Sequence, residues 1–469
     1  KKPWAEKGYV QMEEQIAVKP AAAQPAMASV AKGRVAAPVV DGNLLRVKGQ
    51  GYELTFDKNT GGLYAATYNG ATVIEPGHGP RLDAFRARTD NDNWMDAKWP
   101  KLGLHNLHHK TLAFAQNVTK EGNLQLIFTV ESQAPYGGVD NYSNRDRDKD
   151  EVYKIVDDKS KPFGPNDFKF TTHQIYTIYA DGSVELESAI SSNMPKAKLP
   201  RLGYAFEMPK DYRNFTYYGR GPVNNYADRK TGQFIERHQG VVGEQDIMLP
   251  KPQSMGNRED VRWCALTNEA GQGVAFVANG TMSASALPWS HLQLMGAAHP
   301  YQLPTSDATY VHLDTKVAGL GGNSCGQGGP LSHDCVFGNA YRFGFVMRPV
   351  TNDNLTTSVK VAPAGQEPIS VTRSNVGEVS INSPETNRTV LYTINGGKAQ
   401  VYKAPFNLRD GGTIKAWFKD NAKLSVEQTF AKIEDVPLSV AFVSSQETGS
   451  YDADLMVDQD TDTFWHTMY

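Results

Sequence analysis

Apolar and polar residues alternate with a period of two along most of the chain, and turn-forming dipeptides separate the runs, a pattern of strands joined as hairpins. Tyr52, Leu54 and Phe56 alternate up to Asp57-Lys58-Asn59-Thr60-Gly61-Gly62, and Leu63 to Ile74 reads as the returning strands. Ile175 to Tyr179 runs into Ala180-Asp181-Gly182 before Val184 to Ile190 alternates again, which predicts a hairpin closed by a type I′ Asp-Gly turn. Val274 to Val277 meets Asn279-Gly280 and resumes as Met282 to Ser285, predicting a third hairpin with Asn at a positive φ. No long stretch carries the helical period, so folds built on crossover helices are disfavoured. The expected class is all-β, with a large antiparallel sandwich.

Breaks in this pattern divide the chain. Residues 21–38 are rich in alanine and carry Pro25 and Pro38, a composition that resists packing and suits an extended linker, leaving 1–20 to a preceding domain. The sequence turns polar between Pro349 and Pro368, and a new alternating block starts at Ile369. It breaks again at Asp435-Val436-Pro437, after which about 35 residues remain, too few for a core of their own. The expected organisation is therefore 1–20, the linker 21–38, a large β unit over 39–350, a small domain over 366–434, and the truncated start of another module over 435–469. The opening Lys1-Lys2-Pro3-Trp4 has no apolar stretch and reads as the middle of a domain, so the chain is expected to be a fragment.

Composition narrows the function classes. At roughly 100 to 200 residues per domain, 469 residues imply about three domains. The net charge of −3 supplies no basic field for a nucleic-acid backbone, and no apolar run of ~18 residues suggests a membrane span. Three cysteines do not make a disulfide framework, although Cys325 and Cys335 are close enough in sequence to pair if a loop brings them together. His105, His108 and His109 lack an acidic or Cys partner at zinc-ligand spacing, and the acidic Asp140 to Asp158 stretch lacks the glycine and final Glu of an EF-hand loop. His299 and His312 with Glu207 are candidates for the general acid and base of a sugar mutarotase. No Ser-His-Asp order, phosphate loop or HExxH is present.

Longer motifs carry a resemblance. Tyr217-Tyr218-Gly219-Arg220-Gly221-Pro222-Val223-Asn224-Asn225-Tyr226-Ala227-Asp228-Arg229-Lys230-Thr231-Gly232 resembles a motif of the C-terminal sandwich of glycoside hydrolase family 2 β-galactosidases. Thr89-Asp90-Asn91-Asp92, the Pro252 to Trp263 segment and Gly319-Leu320-Gly321-Gly322 resemble three further motifs of that family, in the same order. Together they cover about 39–350, and Trp4 to Val18 is similar to the last strand of the preceding immunoglobulin-like domain. Val390 to Ala416 resembles the immunoglobulin-like domain that ends chitobiases and hexosaminidases, and Ser444 to Thr467 the opening of a discoidin-like carbohydrate-binding module. The resemblance implies a galactose mutarotase-like supersandwich followed by a small immunoglobulin-like β-sandwich.

It also implies an activity. Family members hydrolyse terminal β-galactosides with retention, using two carboxyl groups about 5 Å apart. Those sit on a (β/α)8 barrel that precedes the sandwich, so no catalytic residue is expected in this chain. Its partners would be a glycan substrate and that barrel, with room for a homo-oligomer, and any divalent cation would belong to the barrel. Asn91, Asp92, Asn93 and Trp94 map onto the segment at the active-site mouth, with Trp99 near its end. Asn323, Ser324 and Cys325 occupy the loop where relatives carry a sugar-stacking Trp, which is missing here, and Asn224 stands where many have Glu. Arg220, Tyr226, Asp228 and Arg229 are expected to hold the sandwich together through buried charge pairs. Two other readings fit the residues: a stand-alone carbohydrate-binding or scaffolding sandwich, and an epimerase or lyase on the same fold. The appended modules imply a periplasmic or cell-surface bacterial enzyme.

Overall fold

The computed structural model describes residues 4–6, 8–10, 12–16, 33–94, 98–140, 155–322, 328–359, 369–374, 376–382, 389–433, 439–443, 445–446, 451–457 and 464–465. The alternation of the sequence becomes strands nearly everywhere. A five-stranded antiparallel sheet runs in chain order through β1 (Val39–Asp41), β2 (Leu44–Gly49), β3 (Tyr52–Asp57), β4 (Gly62–Tyr68) and β5 (Ala71–Ile74). There follow β6 (Arg81–Asp83), β7 (His108–Val118), β8 (Leu124–Gln133), β9 (Tyr136–Asp140), β10 (Ile155–Pro162), β11 (Phe170–Ile178), β12 (Val184–Ser192) and β13 (Lys198–Leu199). The next are β14 (Arg201–Pro209), β15 (Asn214–Gly221), β16 (Phe234–Val241), β17 (Arg258–Thr267), β18 (Gln272–Leu287), β19 (Ala308–Val317), β20 (Val336–Phe337) and β21 (Tyr341–Thr351). Twelve of these form one large sheet, in the order β16-β15-β17-β18-β21-β12-β11-β8-β7, with β19, β14 and β6 branching from β18. Helix among the described residues is confined to α1 (Lys98–Lys101), α2 (His291–Gly296), α3 (Leu355–Ser358) and a few 3-10 turns. The all-β class is observed.

The five-stranded sheet packs on the large one. Leu45, Leu54 and Phe56 share a core with Phe128, Tyr176 and Leu186, and the Phe56 ring meets Tyr176 edge-on at 5.3 Å. That shared apolar interior makes the unit a two-layer sandwich. The chain divides into two compact units, Lys1–Gln366 and Glu367–Tyr469. In the second, β22 (Ser370–Arg373) and β23 (Glu378–Asn382) pair with β26 (Phe406–Asn407), while β25 (Gln400–Val401), β24 (Val390–Ile394), β27 (Gly412–Phe418) and β28 (Asn421–Phe430) form a second sheet. Val379, Ile381, Ile414 and Phe418 from both sheets share its core, giving a small β-sandwich.

The predicted hairpins fare differently. β3 and β4 pair around the Asp57 turn, where Asp57 accepts from the Asn59 and Thr60 backbone N–H groups. β11 and β12 also pair as expected, but their loop is a type I turn with a bulge. Gly182 alone takes a positive φ, of 80°, and the Tyr179 N–H donates to Ser183 O. The third hairpin is absent. β18 runs straight through Asn279-Gly280 as one strand, with its β17 partner jumping from Met282 to Val277 around a bulge. Before the bulge β18 pairs with β21, and after it with β19. A glycine at φ 91° serves a bulge as well as a turn, and here the strand changes neighbours instead of reversing.

Candidate functional site

β15 delivers the Tyr217–Gly232 motif to one end of the large sheet, and the segment leading into β17 closes on it. Asn225 is fully buried and is the main stitch: its side chain donates to the Arg220 and Val223 carbonyls and accepts from the Glu259 N–H, each at 2.8 or 2.9 Å. Asn257 answers by donating to Asn225 O. The buried Tyr226 hydroxyl meets Ser254 Oγ at 3.2 Å. Asp260, at φ 55° on a bulge, turns its carboxylate to Arg220 Nε at 2.7 Å and Lys230 Nζ at 3.1 Å. Burial alone would raise the Asp260 pKa, but these two cations outweigh it and hold it below the ordinary value. Glu259 beside it is raised by deeper burial, although Lys230, Ser283 and Asn257 all stabilise its charge.

The same motif grips the Gly319–Gly322 loop. Asp228 accepts the Leu320 N–H at 3.0 Å and the Gly321 N–H at 2.7 Å, and Arg229 donates to Gly321 O at 2.7 Å. Gly319 is required by this seat, because a Cβ there would lie 2.7 Å from the Asp228 carboxyl carbon. Asn91, from the 3-10 turn Asp90–Trp94, donates to the same Gly321 carbonyl at 2.8 Å, and Lys251 pairs with Asp90 at 3.2 Å. Two segments, 90–94 and 217–232, therefore meet on one loop, and Lys251 braces the first of them.

Behind them lies a buried charge network. Arg86 binds Asp92 through two parallel bonds of 2.6 and 2.9 Å, and Asp92 Oδ2 also accepts from Thr89 N and Oγ1. Arg86 lies over the buried Trp99 ring at 5.3 Å. Arg201 pairs with Asp314, approaches Asp83 at 3.8 Å and abuts His291, whose Nδ1 accepts the Ala87 N–H at 3.1 Å. The His291 and His312 rings lie 4.7 Å apart. Burial, and then the neighbouring positive charge, pushes both histidines well below their usual pKa, so both are neutral at pH 7. Burial raises Asp83 to about 6, against the opposing charge of Arg201.

These placements revise the sequence reading. Asp92 is not on a rim: it is 0% exposed and its carboxylate is consumed by Arg86 and Thr89. Asn91 does reach the loop. Asn93 and Trp94 belong to the 3-10 turn but their side chains lie outside the described residues, as do Asn323, Ser324 and Cys325 entirely. Arg220 makes a half-buried pair with Asp260 and Tyr226 is buried on Ser254 rather than in a charge pair, whereas Asp228 and Arg229 are exposed and hold backbone groups of the loop. Cys335 is a buried free thiol. The three histidines near β7 have separate partners, with His105 on Asp157, His108 on Asn106 and His109 on Ser132. His312 faces Asp83 at 3.6 Å, Glu207 pairs with His78, and His299 stacks on Tyr301. Sequence reasoning missed Arg86, Arg201, Asn225, Asn257 and His291. Asn225 and Asn257 carried a signal, each lying inside a motif already singled out.

The arrangement is chemically a scaffold. Each carboxylate around the loop is held by a cation or by N–H or O–H donors, so the charges fix backbone positions. Residues 48–347 match the family model described as the beta-galactosidase small chain. A β-galactosidase of Priestia megaterium is 29% identical over 350 residues, spanning 74% of this chain and 30% of its own length. One from Lactobacillus delbrueckii subsp. bulgaricus is 28% identical, spanning 69% and 28%. The chain thus spans about 30% of the length of these curated relatives. Among solved structures, a galactose 1-epimerase from Lactobacillus acidophilus aligns over 68% of this chain and 98% of its own, at 8% identity and a TM-score of 0.32. A GalM/aldose epimerase homologue from C. elegans aligns over 66% and 98%, at 11% identity and a TM-score of 0.36.

Proposed function

Since the chain belongs to the beta-galactosidase small-chain family, we propose that it is the non-catalytic C-terminal part of a retaining β-galactosidase, shaping the mouth of a pocket carried by a (β/α)8 barrel. One observation supports this reading above the others: Asn91, Asp228 and Arg229 converge on the backbone of Leu320 and Gly321. A loop held by three side chains from two distant segments is fixed in place, and recognition residues are disproportionately found on loops so positioned by a rigid scaffold. The catalytic carboxylates, the terminal β-galactoside substrate and any divalent cation belong, on this reading, with the barrel. The appended modules suit an enzyme that meets glycans in the periplasm or at the cell surface.

Hydrolysis of a nitrophenyl β-galactoside by the purified 469-residue chain, beside the full-length gene product, tests the reading. Activity in the full-length protein alone is the expected result. Turnover by the chain itself overturns the placement of the carboxylates, and no activity in either refutes the galactosidase assignment.

A further inference from the structure

The first residue of β15, Asn214, lies at the opposite end of that strand from Gly221, seven residues or roughly 23 Å away. Around it the β14–β15 and β17–β18 turns and the loops flanking β16 and β19 enclose a groove of about 730 Å³. Val242, which is buried, and the half-buried Trp289 both line it. The indole N–H of Trp289 donates to Pro304 O at 2.9 Å and its ring packs on the cluster that contains Leu287 and Leu294, which fixes the ring plane. Lys210, Asp211, Arg213 and Glu269 stand exposed around it. Arg213 is itself set in place by Glu244 at 2.5 Å.

We propose that this groove is a saccharide-binding site that takes an uncharged oligosaccharide. A pyranose presents one face of C–H groups and a rim of hydroxyls. A fixed indole matches the first, and charged side chains that donate and accept match the second. Lys210 and Arg213 stand against Asp211, Glu269 and the Glu244 that binds Arg213, so the charges nearly balance and no strong field selects a charged ligand. The volume lies within the range of small-molecule sites, about 300 to 1,000 Å³.

Calorimetric titration of the 469-residue chain with β-1,4-galactotetraose and with cellotetraose tests the site. Saturable binding of at least one sugar at millimolar concentration is expected, weakened about tenfold or more by Trp289→Ala and also by Lys210→Ala with Asp211→Ala. The second variant changes only an exposed turn and decides the question alone if Trp289→Ala fails to fold. Absence of saturable binding, or binding untouched by the turn substitutions, overturns the proposal. Because the readout is binding to this chain, the result is independent of whether the full-length protein hydrolyses galactosides.

Discussion

Asp92 is buried against Arg86 whereas Asp228 is exposed, so substitution at the first should fall mainly on stability and at the second mainly on the loop. Asp92→Ala strands a guanidinium that is 1% exposed, and breaking such a pair costs about 3–5 kcal/mol, readable as a lowered midpoint in urea. Asp228→Ala removes two bonds to exposed backbone and should cost only about 1–2 kcal/mol, while lowering kcat/KM of the full-length enzyme through the released loop. If Asp92→Ala proves neutral to stability, its role as a brace is wrong. Glu185 gives the molecule a pH signature. Burial raises its pKa to about 7, although the Tyr179 hydroxyl donates to it, and Glu187 adds to the rise. A folded pKa above the unfolded one means that the native state binds the proton more tightly. Its stabilisation is complete below about pH 4.5 and is lost as pH rises through about 7. Glu185→Gln should therefore gain on the order of 2 kcal/mol relative to the native chain between pH 5 and pH 8, measured by denaturant unfolding at both values.

At the level of elements, local chemistry was legible and partner choice was not. Asp57 and Gly182 sit in turns as their neighbours in sequence suggest, and Asn69-Gly70, with φ of 50° and 81°, closes β4 onto β5 as a two-residue Asn-Gly turn does. Asn279-Gly280 has the same residues but sits in a strand, because β21 and β19 supply edges on either side of the bulge, and both are encoded elsewhere in the chain. The site divides the same way. The Tyr217–Gly232 motif could be read as a string, whereas Arg201 finds Asp314 across 113 residues and His291 finds Ala87 across 204, pairings that only the closed sheet defines. α2 is a short element on which this network depends. Ser290 caps it, its hydroxyl accepting from the Gln293 N–H while Gln293 Oε1 accepts from the Ser290 N–H, and the next residue is His291. Ser290→Ala should cost about 1 kcal/mol and speed exchange of the Ala87 amide proton, which hydrogen-exchange measurement would detect. An unchanged Ala87 amide would separate α2 from the support of the loop.

At the scale of the whole molecule, the segments around Gly321 all fall within Lys1–Gln366, and so do the core residues beneath them. Glu367–Tyr469 has its own apolar interior, with Ile414, Ala416 and Phe418 fully buried among Val379 and Ile381. Separate cores imply separate cooperative units, so calorimetry of the chain should show two transitions. Deleting 367–469 should remove one and leave the midpoint of the other within about 2 °C, since no residue of the first core is lost. The functional counterpart follows from the same partition. If the first unit alone carries the loop geometry, the deletion made in the full-length enzyme leaves kcat/KM on a soluble nitrophenyl galactoside within about twofold, because transition-state contacts are untouched. Any loss should appear instead on polymeric or surface-bound glycans, where an added module acts by raising effective concentration. A single merged transition, or a large fall on the soluble substrate, would mean that the second unit supports the pocket directly and that the division into a shaping unit and an accessory unit is wrong.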